Sequence, residues 1–178
     1  YGSATQHRKD VSVTKIFFAT DIHGSDICWS KFLNAGKFYE VDVLILGGDM
    51  TGKAVVPIVH QGGDRYKVNL LEQEFDISTD EEMKDMVKRI RSRGYYPYIT
   101  NPDELQYLQD KPEVIHEIFV TQVLKVVHEW MDLADKKLEG TGMQVYCSPG
   151  NDDMDEVDAV VRSSRHVLLV EGQVTSLD

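Results

Sequence analysis

Three short apolar runs, each stopped by a cluster of glycine, aspartate or asparagine, constrain this chain more than any other feature. Residues 13–20, VTKIFFAT, run into DIHG; residues 41–46, VDVLIL, run into GGDMTGK; residues 143–148, MQVYCS, run into PGNDD. Runs this short and this rich in β-branched and aromatic side chains predict buried strands. Between the first two, Ser25 offers a helix N-cap, and Trp29, Phe32, Leu33 and Phe38 fall near helical spacing. Strand, helix, strand predicts a parallel pair joined by a right-handed crossover. In such a sheet the carboxyl ends of the strands converge on the ligand crevice. The three polar clusters are therefore expected to lie far apart in sequence and close together in space.

Elsewhere the periodicity changes. VVPIVH and RYKVNL flank QGGD, whose Gly62 and Gly63 supply the positive φ of a tight turn, so a hairpin is expected at 55–70. Thr79 and Glu82 form a capping-box pair ahead of Met83, Met86, Val87 and Ile90, which predicts a helix from about 80 to 93 closed by Gly94. That methionine stripe reads as core. Asn101 to Glu104 resemble the start of a short helix. Pro112 opens a longer one carrying Ile115, Phe119, Val123, Val126, Val127, Trp130 and Leu133 and ending near EGTG at 139–142. HVLLVEG at 166–172 is a last short strand.

With 178 residues the chain suits one domain, able to bury roughly 70% of the surface its unfolded form exposes. Its 30 acidic and 19 basic residues set the formal charge at −11, which opposes sequence-independent binding to nucleic acid or anionic lipid. The basic run KRIRSR at 88–93 reads as a solvated helix face. Cys28 and Cys147 are too few for a disulfide framework and lack metal-site spacing, which makes a reducing cytoplasm the expected location. No apolar run approaches the ~18 residues of a membrane span. The opening YGSATQ reads as a tag remnant, so 1–10 are set apart from a domain expected at 11–178.

An aspartate and a histidine two positions apart, just past a strand, are free of ladder pairing and can turn toward one ion, and the adjacent glycine lets backbone approach. Taken singly, Asp21 and His23 make a capped turn, Asp49 an N-cap or turn aspartate and Asn151 an Asx-turn. Together they require three coincidences at three strand ends. In this order and context, DIHG, GGDMTGK and GNDD resemble the D-x-H, G-D-x-x-G and G-N-H/D motifs of the calcineurin-like metallophosphoesterases, with most similarity to predicted phosphoesterases related to cyclic-nucleotide phosphodiesterases. The resemblance spans roughly 13–172.

The resemblance implies an α/β fold, the N-terminal portion of a metallophosphoesterase β-sandwich flanked by helices, with the hairpin and helical segment as an insertion. It implies that Asp21 and His23 bind a first divalent ion, that Asp49 bridges two, and that Asn151 binds the second, in a hydrolase that attacks a phosphomono- or diester in line with a metal-bound hydroxide. Manganese, iron, zinc or nickel would suit such ligands. Four positive charges against the carboxylates of Asp21 and Asp49 leave the site attractive to phosphate.

Two departures qualify it. Where the family carries a histidine as proton donor or phosphate clamp, this chain has Asp152, which can act as a catalytic acid only if its pKa is raised well above ~4; otherwise the leaving group goes poorly protonated. The later G-H and G-H-x-H histidines do not follow, while His60, His116, His128 and His166 read as surface or core residues, with His60 the one that can lean over the site. The chain is therefore expected to be a truncated form whose uncovered sheet is met by a second copy or a companion chain. A non-catalytic scaffold using the same surface to bind a partner is the alternative. A doubly wound nucleotide-binding domain is excluded, since neither G-x-G-x-x-G nor a phosphate-loop pattern follows either early strand.

Overall fold

A computed structural model describes residues 13–177; the tag remnant expected at 1–10 lies outside them. The chain is mixed α/β, with two four-stranded sheets and five helices among the described residues. In chain order these are β1 (Ile16–Ala19), α1 (Asp26–Tyr39), β2 (Val43–Gly47), β3 (Val55–His60), β4 (Tyr66–Leu70), β5 (Gln73–Ile77), α2 (Asp80–Ser92), β6 (Tyr96–Thr100), α3 (Pro102–Gln109), α4 (Pro112–Leu138), β7 (Gln144–Ser148), α5 (Glu156–Val161) and β8 (Val167–Leu169).

The first sheet, ordered β1-β2-β7-β8, is parallel throughout. The three apolar runs are three adjacent strands, so the polar clusters that follow them emerge side by side. Its register places Phe17, Leu44, Val145 and Val167 in one row across all four strands, and Ala19, Leu46, Cys147 and Leu169 in another. Both rows face the main core, where Trp29 and Phe32 of α1, Val123, Val127 and Trp130 of α4, and Val157 and Val161 of α5 are buried.

The opposite face carries the row Phe18, Ile45, Tyr146 and Leu168. Parallel sheets are normally covered on both faces. Here the edge strands are open, with Phe18 60% and Ile16 46% exposed on β1 and Leu168 48% on β8, whereas Val43 and Tyr146 in the central strands are buried. The open sheet surface expected from the sequence is present only at the two edges of this face.

The second sheet is ordered β5-β4-β3-β6. The expected hairpin is present as β3 and β4, but the chain continues through a turn at Leu71 and Glu72, both at positive φ, into β5. That strand escaped the sequence reading because its turn lacks glycine and asparagine. β6 escaped it because Pro97 interrupts YYPYIT; the strand sits at the sheet edge, where a proline is tolerated. Val56, Ile58, Val68, Leu70 and Ile77 pack on Met86 and Ile90 of α2, so the methionine stripe is core. Both halves of the Thr79–Glu82 capping box are formed.

Three sequence expectations need correction. Phe38 is 77% exposed, because the buried face of α1 runs Trp29, Phe32, Leu33, Gly36 and residue 38 falls on the far side. Ile115, at the start of α4, is 42% exposed, ahead of the turns that reach the core. The run at 88–93 is solvated at Lys88, Arg89 and Arg93 but not at Arg91, which donates to Asp26 Oδ1 (3.1 Å) and to Glu129 Oε2, tying α2 to α1 and α4, while Arg89 lies 5.1 Å over the Phe75 ring. Burial disfavours the Arg91 cation, but its Glu129 and Asp26 partners outweigh this and hold its pKa above the usual value.

Candidate metal centre

β1 ends at Ala19 and β2 at Gly47, one register step apart, so the loops that follow leave the sheet together. Three backbone hydrogen bonds join them: Asp21 N–H to the Gly48 carbonyl (3.1 Å), His23 N–H to that of Asp49 (3.0 Å), and Gly24 N–H to that of Met50 (2.8 Å). In this arrangement Asp21, His23 and Asp49 stand at φ of 56°, 42° and 46°. Each left-handed non-glycine residue costs on the order of 1–2 kcal/mol. Of six such residues among those described, three are these, and strain concentrated at one place is a mark of function.

The result is a cluster in which Asp21, His23 and Asp49 each bring a ligand-type atom within 4.8 Å of the others. His23 Nε2 lies 3.6 Å from Asp21 Oδ1. His23 Nδ1 is buried without a hydrogen-bonding partner among the described residues. A buried polar atom left unpaired costs about 1–3 kcal/mol. The donor set fits a divalent first-row ion: two carboxylates and an imidazole, partly exposed, on a rigid loop pair.

β7 delivers the third cluster. Gly48 and Gly150 approach closely, and a Cβ on Gly150 would collide with Asp49 Oδ1 and N, so only glycine lets the 149–153 loop lie against the bridging candidate. Asp152 N–H donates to Asp49 Oδ1 at 3.4 Å. Asn151 is thereby brought beside the cluster, with its exposed side-chain amide donating to Asp152 Oδ1 at 3.0 Å. Asp152 forms an ion pair with Lys53 (2.7 Å), which holds its carboxyl below the usual carboxylate range, with a smaller contribution from His23. That is the opposite direction from the one a proton donor requires. Lys53 in turn is held above its usual range, first by Asp152 and then by Asp49 and Asp21.

Two supporting groups were missed in the sequence. Asp153 accepts from Met50 N–H (3.0 Å), Thr51 N–H (2.8 Å), the Thr51 hydroxyl (2.6 Å) and Gly150 N–H (2.8 Å), lashing the third loop to the second. A carboxylate is the side chain that accepts at both oxygens and donates at neither. Its signal was the last of the aspartates in GNDD. The second is the corner at the end of α2, where Gly94 packs on the His23 carbonyl and Gly52 packs on Gly94. The Gly52 N–H donates to buried Tyr96 Oη (2.7 Å), and Ser25 Oγ to the Ser92 carbonyl (2.7 Å). Burial pushes the Tyr96 phenol up to about 12.

The other four histidines among the described residues stand apart from the cluster. His60 Nε2 meets the Gly63 carbonyl (2.6 Å) at the hairpin tip, His166 faces Asp135 (3.3 Å), and His116 and His128 are exposed on α4. Burial alone would raise the Asp135 pKa, but the Ser164 hydroxyl and the Arg165 and His166 donors hold it low. No helix among the described residues is long and apolar enough to cross a membrane. Compared with protein-family models, with characterised proteins and with solved structures, the chain matches none.

Proposed function

We propose that this chain carries the metal centre of a divalent-metal-dependent phosphoester hydrolase of the calcineurin-like type. The observation that carries the reading is the convergence of Asp21, His23 and Asp49 within 4.8 Å from two loops locked at positive φ. Asp21, His23 and Asp49 would hold an ion, and Asn151 stands beside Asp49 for a second, of manganese, iron, zinc or nickel. Bound divalent ions supply Lewis-acid polarisation of phosphoryl oxygens and a water of lowered pKa. This chain's residues position the phosphate and exclude misalignment of the loops. With Asp152 held ionised by Lys53, the leaving group departs without help from that carboxyl, which favours aryl over alkyl esters.

Calorimetric titration of Mn²⁺ into metal-stripped protein tests this. We expect binding by the wild type, none by Asp49→Asn, and manganese-dependent release of p-nitrophenol from an aryl phosphoester by the wild type alone. Equal binding by both proteins would remove Asp49, and with it the assignment.

A second reading is favoured by the apolar side chains exposed at the edges of the first sheet, on the face away from the main core, above all Phe18: a phosphoesterase-like scaffold that docks a partner there, either a second copy or a companion chain. Light scattering after size exclusion should show association that Phe18→Ser abolishes. A monomer at high concentration argues against it. Free Cys28, exposed on α1, suits a cytoplasmic setting.

A further inference from the structure

We infer that Lys53 is the phosphate-binding cation of this centre and that Asp152 is its positioning residue, an assignment that rests on the metal-hydrolase reading above. The geometry is a relay of short contacts. Asp152 is indexed to the candidate bridging ligand through its N–H on Asp49 Oδ1 at 3.4 Å, and its own Oδ2 holds Lys53 Nζ at 2.7 Å. Asn151 braces the same carboxylate from the other side, at Oδ1. The Lys53 side chain is 65% exposed, so its ammonium stands at the mouth of the site.

An ammonium has three N–H donors and no acceptor. One is spent on Asp152, which leaves two for the non-bridging oxygens of a phosphoryl group, where charge-assisted bonds are strongest. Charge balance points the same way. An ionised Asp152 alone would face an incoming phosphate with a like charge. Paired with Lys53 it is neutral, and the net positive charge that two ions would leave over Asp21 and Asp49 is preserved. The chain thus recovers, with a lysine held by an aspartate, the cationic contact that a histidine after Asn151 would provide.

The test uses the full chain loaded with Mn²⁺ and reads binding of inorganic phosphate by calorimetry. Lys53 is exposed, so its substitution leaves folding intact, and each variant is titrated to saturation with Mn²⁺ before phosphate is added. Lys53→Ala should weaken phosphate binding about tenfold, while Lys53→Arg stays within roughly threefold. In turnover of an aryl phosphoester the loss should appear in KM more than in kcat. The double variant Lys53→Ala with Asp152→Asn separates contact from masking. If Lys53 touches phosphate, the double variant stays weak. A return to wild-type affinity would mean that Lys53 only neutralises Asp152, and unchanged affinity in Lys53→Ala would mean that it does neither; either result overturns the inference alone. Failure of the wild type to bind Mn²⁺ overturns the metal reading and the inference together.

Discussion

The tip of the β3–β4 hairpin and the loops around Asp49 both turn through residues at positive φ, Gly62 and Gly63 at the tip and Asp21, His23, Gly24, Gly48 and Asp49 at the strand ends, yet they differ in surroundings. A Cβ on Gly62 or Gly63 would meet nothing within 4 Å. One on Gly24 or Gly94, at φ of 72° and 80°, would collide with neighbouring backbone. At the hairpin, glycine provides only a turn. At the strand ends it lets three separate segments touch main chain to main chain, which is what brings ligand-type side chains from distant positions to one point. Positive φ alone marks a bend; positive φ under crowding marks a site.

Substitutions can break or sharpen this contrast. The largest effect is expected at Gly94, where alanine drives a Cβ into the His23 carbonyl at a φ of 80°. Gly94→Ala should cost at least ~3 kcal/mol in urea unfolding and weaken Mn²⁺ binding, through overpacking and backbone strain together. Asp153→Asn comes next: it turns an N–H₂ toward two of the four donors on that carboxylate, for about 2 kcal/mol, and amide exchange at Met50, Thr51 and Gly150 should quicken with it. Gly63→Ala, at the open tip, should change stability by about 1 kcal/mol and leave Mn²⁺ affinity as it is. A loss at Gly63 equal to that at Gly94 would erase the distinction.

Much of this was legible before the fold was seen. The three apolar runs announced adjacent parallel strands because burial needs continuous apolar residues, and the clusters after them had to share one edge of the sheet. The capping box at Thr79 and the hairpin glycines were equally plain, being local signals. What escaped were features whose cause lies in another part of the chain. Asp153 reads as one more loop carboxylate until its four donors, three at residues 50 and 51 and one at 150, are in place. Lys53 reads as an exposed turn lysine until Asp152 arrives beside it. Tyr96 sits in a run broken by Pro97, and its role, holding the Gly52 N–H from beneath the site, has no local signature. Arg91 looked solvated because its partners, Asp26 and Glu129, are 65 and 38 residues away.

The pairing of β2 with β7 also sets a clock. Val43 aligns with Gln144, and the Asp153 carboxylate that pins Met50 and Thr51 comes 103 and 102 residues after them. At the ~5–20 residues per second of synthesis, the first two loops wait on the order of 5–20 s for the third, and non-local parallel pairing is slow in itself. During that interval Asp21, His23 and Asp49 already exist on the nascent chain without the carboxylate that pins the second loop. On the proposed metal reading, a fully braced site is a late event in the life of the polypeptide, gated by completion of β7 and the turn that follows it.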